Sequence, residues 1–208
     1  MLNLHSQQHR IVQTEHGWNP IQVSYKAAKY PLSVMSIAFL LEKSDDAVIW
    51  RGPKKNSMIT QFIQNVDWKG LDFVIIDTPP GTSDEHLSVL ENLAGKLKGA
   101  VIVTTPQNVA LSDVRKEITF CRELNVPIIG LVENMSGFTC SKCHGSVNIF
   151  SKGGGQMLAE EAQLSLLGTL PIDKEFIKSV ESGSILDNYH NSSMHAQFKE
   201  ITNKVLNC

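Results

Sequence analysis

A short apolar run that ends in an aspartate and a rigid loop constrains the fold of this chain most. Residues 71–84 read LDFVIIDTPPGTSD, and the run at 71–76 is rich in β-branched, aromatic and aliphatic residues. Such a run predicts a strand that is buried on both faces of a parallel sheet. Asp77 ends the predicted strand, and the Pro-Pro-Gly loop at 79–81 stops regular structure there. The pattern predicts an open α/β sheet whose ligands lie beyond the carboxyl ends of the strands.

Asp77 and Gly81 are candidate catalytic residues of a site for a nucleoside triphosphate and Mg²⁺. An acidic side chain at this position can hold a magnesium-bound water, and the backbone N–H near Gly81 can contact the γ-phosphate. A helix N-cap or a solvated strand end explains Asp77 equally well, because an aspartate after an apolar strand is a weak signal.

Strands and helices alternate along the rest of the chain. Strands are predicted at 21–25, 32–41, 71–77, 99–105, 127–132 and 147–150, with a final strand and turn at 166–173, and helices at 54–66, 85–97, 108–124, 153–162, 174–181 and 196–206. This alternation implies βαβ units with right-handed crossovers. The predicted fold class is α/β, with a doubly wound, mostly parallel sheet. We expect a single domain over 1–208, with an irregular segment at 1–31, a loop at 182–192 and a C-terminal helix within 193–208.

Composition argues against several classes of protein. The 208 residues carry a formal net charge of −2, whereas nucleic-acid-binding surfaces are strongly basic. No apolar run approaches the ~20 residues that cross a bilayer, and the N-terminus has no secretory pattern. Four cysteines in a chain of this size suit thiols that act as ligands in a reducing compartment rather than a disulfide framework. We therefore expect a cytoplasmic protein with neither nucleic acid nor membrane as a partner.

Cys140 and Cys143 form a C-x-x-C pair on one tight turn. Two thiolates at that spacing can bind one metal ion or one edge of a cluster. Four interpretations stay open from the residues alone: half of a [4Fe–4S] site that a second chain completes, a zinc site with His144, covalent haem at C-x-x-C-H, and a redox or structural pair. Cys121, in a predicted helix, is interpreted as a small packing residue, and Cys208 as a terminal thiol.

Several longer segments are similar to those of a known family. They are VIWRGPKKN, DTPPGTSDEH, TTPQNVALSDVRKE, ENMSGFTCSKC and IFSKGGG. They resemble the Mrp/NUBP family of P-loop ATPases, the scaffolds of cytosolic iron–sulfur cluster assembly. FLLEK, SGFTC and IFSKGGG are most similar to the smaller of the two cytosolic scaffold subunits. The resemblance covers residues 17–185.

The resemblance implies cofactors, partners and further site residues. It implies ATP and Mg²⁺, and a labile [4Fe–4S] cluster that Cys140 and Cys143 of paired chains hold and pass to apo iron–sulfur proteins. The assembly would be a homodimer or a heterotetramer with a paralogous scaffold subunit. The resemblance also implies that Asn134 contacts the adenine and that Pro171 and Asp173 lie near the base. An Asx-turn at Asn134 and a helix N-cap at Asp173 are the alternatives.

One motif of the family does not occur in these 208 residues. No G-x-x-x-x-G-K-[ST] segment is present, and the glycines at 153–155 are predicted to begin a helix instead. Aligned with the family, the phosphate loop would precede residue 1, so we expect an N-terminally incomplete domain of P-loop NTPase type. We expect that the chain alone does not hydrolyse ATP, because that loop supplies most of the positioning and charge stabilisation. A cluster- or zinc-binding dimerisation module without ATPase activity is the alternative function.

Overall fold

The computed structural model describes residues 11–15, 17–23, 32–41, 46–140, 143 and 145–208. The chain divides into two compact units, the first within 1–96 and 182–187 and the second within 97–181 and 188–208. In the part of the chain that is described, no helix is both long enough and apolar enough to cross a membrane.

The first unit contains two short antiparallel strand pairs and two helices. Its elements are β1 (Val12–Thr14), β2 (Gly17–Asn19), β3 (Ile21–Val23), β4 (Leu32–Val34), a 3₁₀ helix (Ile37–Leu40), α1 (Gly52–Gln64) and α2 (Asp84–Asn92). β1 pairs with β2, and β3 with β4. The helices α1 and α2 are joined by an ion pair between Lys55 Nζ and Glu85 Oε1 at 2.8 Å and by a hydrogen bond from Asn92 to Thr60 Oγ1.

The prediction of a strand at 71–77 is wrong. Residues 71–83, which are all described, form neither strand nor helix, and Phe73 and Ile75 are 67% and 92% exposed. A buried parallel strand needs a neighbouring strand at its edges and packed layers on its faces. No strand among the described residues pairs with this run, so its apolar side chains face solvent.

Three other predictions for the first unit differ from the structure. The helix predicted at 85–97 is α2, which ends at Asn92. The strand predicted at 32–41 is only three residues long, and a 3₁₀ helix follows it. Ser36 explains the change, because its Oγ accepts the N–H of Ala38 at 3.2 Å and starts the helical turn. The segment 1–31, expected to be irregular, contains β1, β2 and β3 in its described part. Residues 24 and 25 of the strand predicted at 21–25 lie outside the described residues.

The second unit is built on a three-stranded parallel sheet of order β5–β6–β9. Its elements are β5 (Ala100–Thr104), α3 (Asn108–Glu123), β6 (Ile128–Glu133), β7 (Phe138–Thr139), β8 (Ser146–Val147), α4 (Gly154–Glu161), β9 (Leu166–Thr169), α5 (Lys174–Glu181) and α7 (His195–Leu206). Between α5 and α7 lie α6 (Ile185–Asn188), which spans the boundary of the two units, and a 3₁₀ turn (Tyr189–Asn191).

Helices cover both faces of the parallel sheet. Leu131 is fully buried in one apolar cluster with residues of α3 and α4, whereas the next residue, Val132, is buried in a second cluster with Met194. Phe198 and Ile201 of α7 pack against that second cluster. Successive residues of a strand point to opposite faces of its sheet, so β6 lies between two helical layers. The α/β fold class is thereby confirmed.

Most elements of the second unit match the predictions, but β8 covers Ser146–Val147 rather than 147–150. Residues 182–192, which belong in part to each unit, were predicted as a loop and contain α6 and the 3₁₀ turn. Two side chains of this otherwise polar stretch make apolar contacts, which the prediction of a loop did not foresee. Ile185 is only 8% exposed. The ring of Tyr189 lies 6.2 Å from that of Phe198.

Candidate functional site

The two candidate ligand thiols lie at the tip of the small hairpin that β7 and β8 form. Phe138 pairs with Val147 in this hairpin, and the N–H of Cys140 donates to the carbonyl of Gly145 at 3.0 Å. Cys140 is half-buried, Cys143 is exposed, and neither forms a disulfide. The predicted tight turn at the C-x-x-C pair is therefore a hairpin tip that presents at least one thiol to solvent.

The base of the hairpin is fastened to the segment that follows β9. The N–H of Ser136 donates to the carbonyl of Leu170 at 2.9 Å, and the N–H of Ile172 donates to the carbonyl of Gly137 at 2.8 Å. Phe138 also forms an isolated parallel bridge with Ile172. The chain reaches the hairpin through Gly137, whose φ of +85° suits glycine. The hairpin is thus docked on residues 170–172.

Asn134 extends the sheet by one residue beyond β6. Its N–H donates to the carbonyl of Thr104 at 2.7 Å, and its Oδ1 accepts the N–H of Met135 at 2.8 Å. The side-chain oxygen is therefore used locally, but by the next residue and not by the residue two positions on, as the Asx-turn alternative requires. Its Nδ2 has no hydrogen-bond partner within the described part of the chain, so this donor is available. Contact with an adenine stays a prediction.

Asp173 is the N-cap of α5. Its Oδ1 accepts the N–H of Phe176 at 2.7 Å, its carbonyl accepts the N–H of Ile177 at 3.0 Å, and its Oδ2 accepts a hydrogen bond from the hydroxyl of Ser193. The N-cap alternative is confirmed, and both carboxylate oxygens are engaged. Pro171 is half-buried and lies between Leu170 and Ile172, whose backbones hold the hairpin.

Asp77 and Gly81 belong to the first unit and lie in the stretch without regular structure. The side chain of Asp77 is exposed. Gly81 has a φ of +79°, a conformation that few residues other than glycine adopt, and a Cβ at this position would meet no atom within 4 Å. The roles of both residues remain predictions.

Glu133 is a site residue that the sequence patterns missed. This last residue of β6 is 1% exposed. Its Oε2 accepts the N–H of Gly155, and its Oε1 accepts the hydroxyl of Ser136, each at 2.5 Å. The sequence does contain one signal for Glu133: it is an ionisable residue at the end of an apolar strand. A carboxyl group buried at such a position needs hydrogen-bond partners nearby.

The glycines at 153–155 begin α4, as predicted. Gly153 is the N-cap, with a φ of +72°. A Cβ on Gly154 would lie 2.8 Å from the carbonyl oxygen of Pro106, and one on Gly155 would lie 2.8 Å from Cβ of Glu133. The glycine run therefore lets the start of α4 approach the sheet closely.

The described residues offer two thiols but not a complete set of metal ligands. No group of three or more His, Cys, Asp or Glu side chains placed to hold a metal ion occurs among them, and His144 lies outside them. A tetrahedral metal site or a four-iron cluster takes four ligands. Cys121 lies half-buried in α3, where burial and the nearby Glu117 raise the pKa of its thiol, which is consistent with a packing role.

Comparison with known proteins places the chain in a family. The family model described as ParA, NUBPL iron-transfer P-loop NTPase, matches residues 1–206. A cytosolic Fe-S cluster assembly factor NUBP2 homolog of Trichoplax adhaerens is 54% identical over 193 residues, which are 92% of this chain and 72% of the relative. The cytosolic Fe-S cluster assembly factor CFD1 of Eremothecium gossypii is 48% identical over 202 residues, 94% of this chain and 72% of the relative.

A solved structure supports the same assignment. The nucleotide-binding protein from Archaeoglobus fulgidus, described in complex with ADP, matches with a TM-score of 0.69 and 31% identity over 85% of this chain, which spans 65% of that protein. The resemblance found in the sequence motifs is therefore confirmed. Its motifs, its parallel sheet between helical layers and these relatives agree that the chain belongs to the ParA family of NUBPL iron-transfer P-loop NTPases.

Proposed function

We propose that the chain is a cytosolic iron–sulfur cluster assembly factor that binds a labile cluster at Cys140 and Cys143 and passes it to apo-proteins. The observation that carries this proposal is the thiol pair at a hairpin tip, outside any disulfide. The names of the relatives from Trichoplax adhaerens and Eremothecium gossypii support it. In this proposal the cluster is cargo, and the thiols lose their protons when they bind its iron.

The cluster is a [4Fe–4S] cluster that two chains share. Each chain offers two thiols, and a four-iron cluster takes about four ligands, so a two-fold axis beside the hairpin tips supplies the full set. The exposure of Cys143 suits a thiol that must reach a cluster between chains. The second chain is a copy of this one or a paralogous scaffold subunit in a heterotetramer.

Assembly is coupled to ATP and Mg²⁺ in the complete protein. Asp77 would hold a magnesium-bound water, the N–H near Gly81 would contact the γ-phosphate, and Asn134 would donate its Nδ2 to the adenine beside Pro171 and Asp173. ATP hydrolysis would supply the free energy for a switch between cluster-holding and cluster-releasing states. The description of the relative from Archaeoglobus fulgidus as an ADP complex supports nucleotide binding.

Anaerobic reconstitution with iron and sulfide tests the cluster proposal. We expect about two irons per chain in a dimer, and loss of this iron in the Cys140→Ala, Cys143→Ala double variant. Cys208→Ala is the matched control, because it removes another exposed thiol, and it should bind iron as the parent does. Stoichiometric zinc without iron uptake would contradict the proposal.

The nucleotide proposal has its own test in the complete protein. We expect ATP to change the rate at which a reconstituted cluster passes to an apo-ferredoxin, and Asp77→Ala to abolish that change without altering iron content. Transfer rates that are identical with and without nucleotide would contradict the coupling.

A second candidate is a cluster- or zinc-binding dimerisation module without ATPase activity. The observation in its favour is that residues 1–208 contain no G-x-x-x-x-G-K-[ST] segment, which supplies the phosphate cradle in P-loop proteins. Titration of this chain with ATP and Mg²⁺ separates the two candidates. Cluster binding without nucleotide binding supports the module.

A further inference from the structure

The thiol pair lies on an excursion from the parallel sheet, which we define as residues 134–153. The chain leaves the sheet after β6 and packs against it again at the start of α4. Both ends of the excursion meet at one carboxylate. Glu133, directly before the excursion, contacts Ser136 near its start and Gly155 just beyond its end, each at 2.5 Å.

The two hydrogen bonds of Glu133 are made away from water. The residue is 1% exposed, and a buried acidic group is tolerated when its oxygens are hydrogen-bonded. Gly155 lies in the first turn of α4, where backbone N–H groups have no acceptor within the helix and need one from outside it. A Cβ on Gly155 would lie 2.9 Å from Glu133 Oε2, so glycine permits this approach.

Ser136 links Glu133 to the start of the hairpin. Its hydroxyl donates to Glu133, while its N–H donates to the carbonyl of Leu170 at 2.9 Å. One residue later, Gly137 accepts the N–H of Ile172 at 2.8 Å, and the hairpin strands begin at Phe138. The start of the hairpin is thus held from both β6 and the segment after β9.

We infer that Glu133 is a positioning residue that closes the excursion and so fixes the thiol pair for cluster binding. Its two carboxylate oxygens accept from Ser136 and Gly155, so it acts on the thiol pair through these two residues. The identity of the cargo rests on the proposed function, but closure of the excursion can be measured without iron.

Three variants separate the hydrogen bonds of Glu133 from its bulk. Glu133→Leu removes both acceptors at a similar volume. Glu133→Gln keeps an acceptor for the N–H of Gly155, and its amide can donate to Ser136 Oγ, because a hydroxyl also accepts. Ser136→Ala removes only the hydrogen bond at the start of the hairpin and keeps the one from Gly155. Glu123→Gln, at the exposed end of α3, is the matched control.

Hydrogen exchange of the chain without iron tests closure directly. We expect Glu133→Leu and Ser136→Ala to speed amide exchange in the hairpin, residues 138–147, about tenfold relative to β6, since each variant loses a buried hydrogen bond. Glu133→Gln should stay within about threefold of the parent, and Glu123→Gln should match it. Any of three outcomes would overturn the inference. Exchange could speed up equally in the hairpin and in β6, or stay unchanged in the hairpin of Ser136→Ala. The third outcome is hairpin exchange as fast in Glu133→Gln as in Glu133→Leu. If Glu133→Leu does not fold, Ser136→Ala decides.

Iron release provides the second readout. In reconstituted chains we expect Glu133→Leu and Ser136→Ala to lose iron to a chelator about tenfold faster than the parent, with an altered cluster absorption spectrum that Glu133→Gln restores. Release at the parent rate despite faster hairpin exchange would overturn the positioning role. A parent chain that takes up no iron would refute the proposed function instead, while the exchange data would still decide whether Glu133 closes the excursion.

Discussion

The backbone N–H of Ile172 donates a 2.8 Å hydrogen bond to the carbonyl of Gly137. Ile172 lies between Pro171 and Asp173, the residues expected near a nucleotide base, and Gly137 directly precedes the cysteine hairpin. A displacement of the 171–173 turn therefore acts on the hairpin through a direct contact. If the proposed base site and cluster site are correct, this contact is a short physical route from one to the other.

Replacing Asp173 with alanine should lower the free energy of unfolding by about 1–2 kcal/mol. The variant removes the acceptor of the Phe176 N–H at the start of α5 and the acceptor of the Ser193 hydroxyl. Urea denaturation followed by circular dichroism measures the change. Ser193→Ala is the control, because it leaves the N-cap in place and should cost less. An unchanged midpoint for Asp173→Ala would contradict the N-cap assignment.

Gly155→Ala should destabilise the chain more than Gly153→Ala. A Cβ at residue 155 would lie 2.8 Å from Cβ of Glu133, whereas one at 153 meets nothing within 4 Å. We expect about 1–3 kcal/mol for the overpacked site and about 1 kcal/mol for the left-handed N-cap at 153. Thermal unfolding of the two variants side by side gives the order, and the reverse order would show that α4 can shift away from β6.

Acid titration should report the ion pair of the first unit. The hydrogen bond from Lys55, followed by one from Ser83, lowers the pKa of Glu85 from 4.5 to about 2. Because the pKa in the folded state lies below that of the unfolded state, the stabilisation is present above pH 4.5 and is lost as the pH falls towards 2. Nuclear magnetic resonance of the carboxyl carbon measures the pKa. Lys55→Met should move it towards 4.5, whereas Lys69→Met, which removes an exposed lysine, should not.

Alkylation should distinguish the thiol of Cys121 from that of Cys208. Burial, and to a lesser extent Glu117, raises the pKa of the Cys121 thiol above its ordinary value, so its thiolate fraction at neutral pH is small. We expect iodoacetamide to modify Cys121 more slowly than the exposed Cys208, as followed by mass spectrometry, and urea to remove most of the difference. Equal rates in the folded chain would mean that α3 does not shield the thiol.

The sequence patterns predict the second unit well where a segment carries its own periodicity. The helix predicted at 108–124 is α3 at Asn108–Glu123, because its apolar residues recur at helical spacing and three of them are buried. The strand predicted at 127–132 is β6 at Ile128–Glu133, because it is a continuous apolar run. The glycines at 153–155 likewise mark the start of α4.

The failure at 71–76 has a physical cause. The run has the composition of a buried strand, but a strand exists only through hydrogen bonds to another strand. Local sequence reports the preference for strand and not the partner. No described strand pairs with this run, and Ile75 is 92% exposed. An apolar pattern alone therefore overestimates the regular structure of this segment.

The sequence predicts the thiol pair of the candidate site, but not the contacts that hold the thiol-bearing hairpin in place. The C-x-x-C spacing places Cys140 and Cys143 on one turn from sequence alone. The hairpin strands have only two residues each, which is too few for an alternating pattern, and they are held through Ile172, far along the chain. Gly155, which donates a hydrogen bond to Glu133, is 22 residues further along the chain, and no local motif predicts such a contact.

The meeting of both ends of the excursion at Glu133 has an evolutionary consequence. Since Ser136 and Gly155 are fastened to the same carboxylate, the number of residues between them can change without shifting β6 or α4. Surface loops tolerate insertion and replacement where their ends are fixed. We therefore expect the segment with the thiols to be exchangeable, so that descendants of this chain could lengthen it, shorten it or change its side chains while they keep the same sheet.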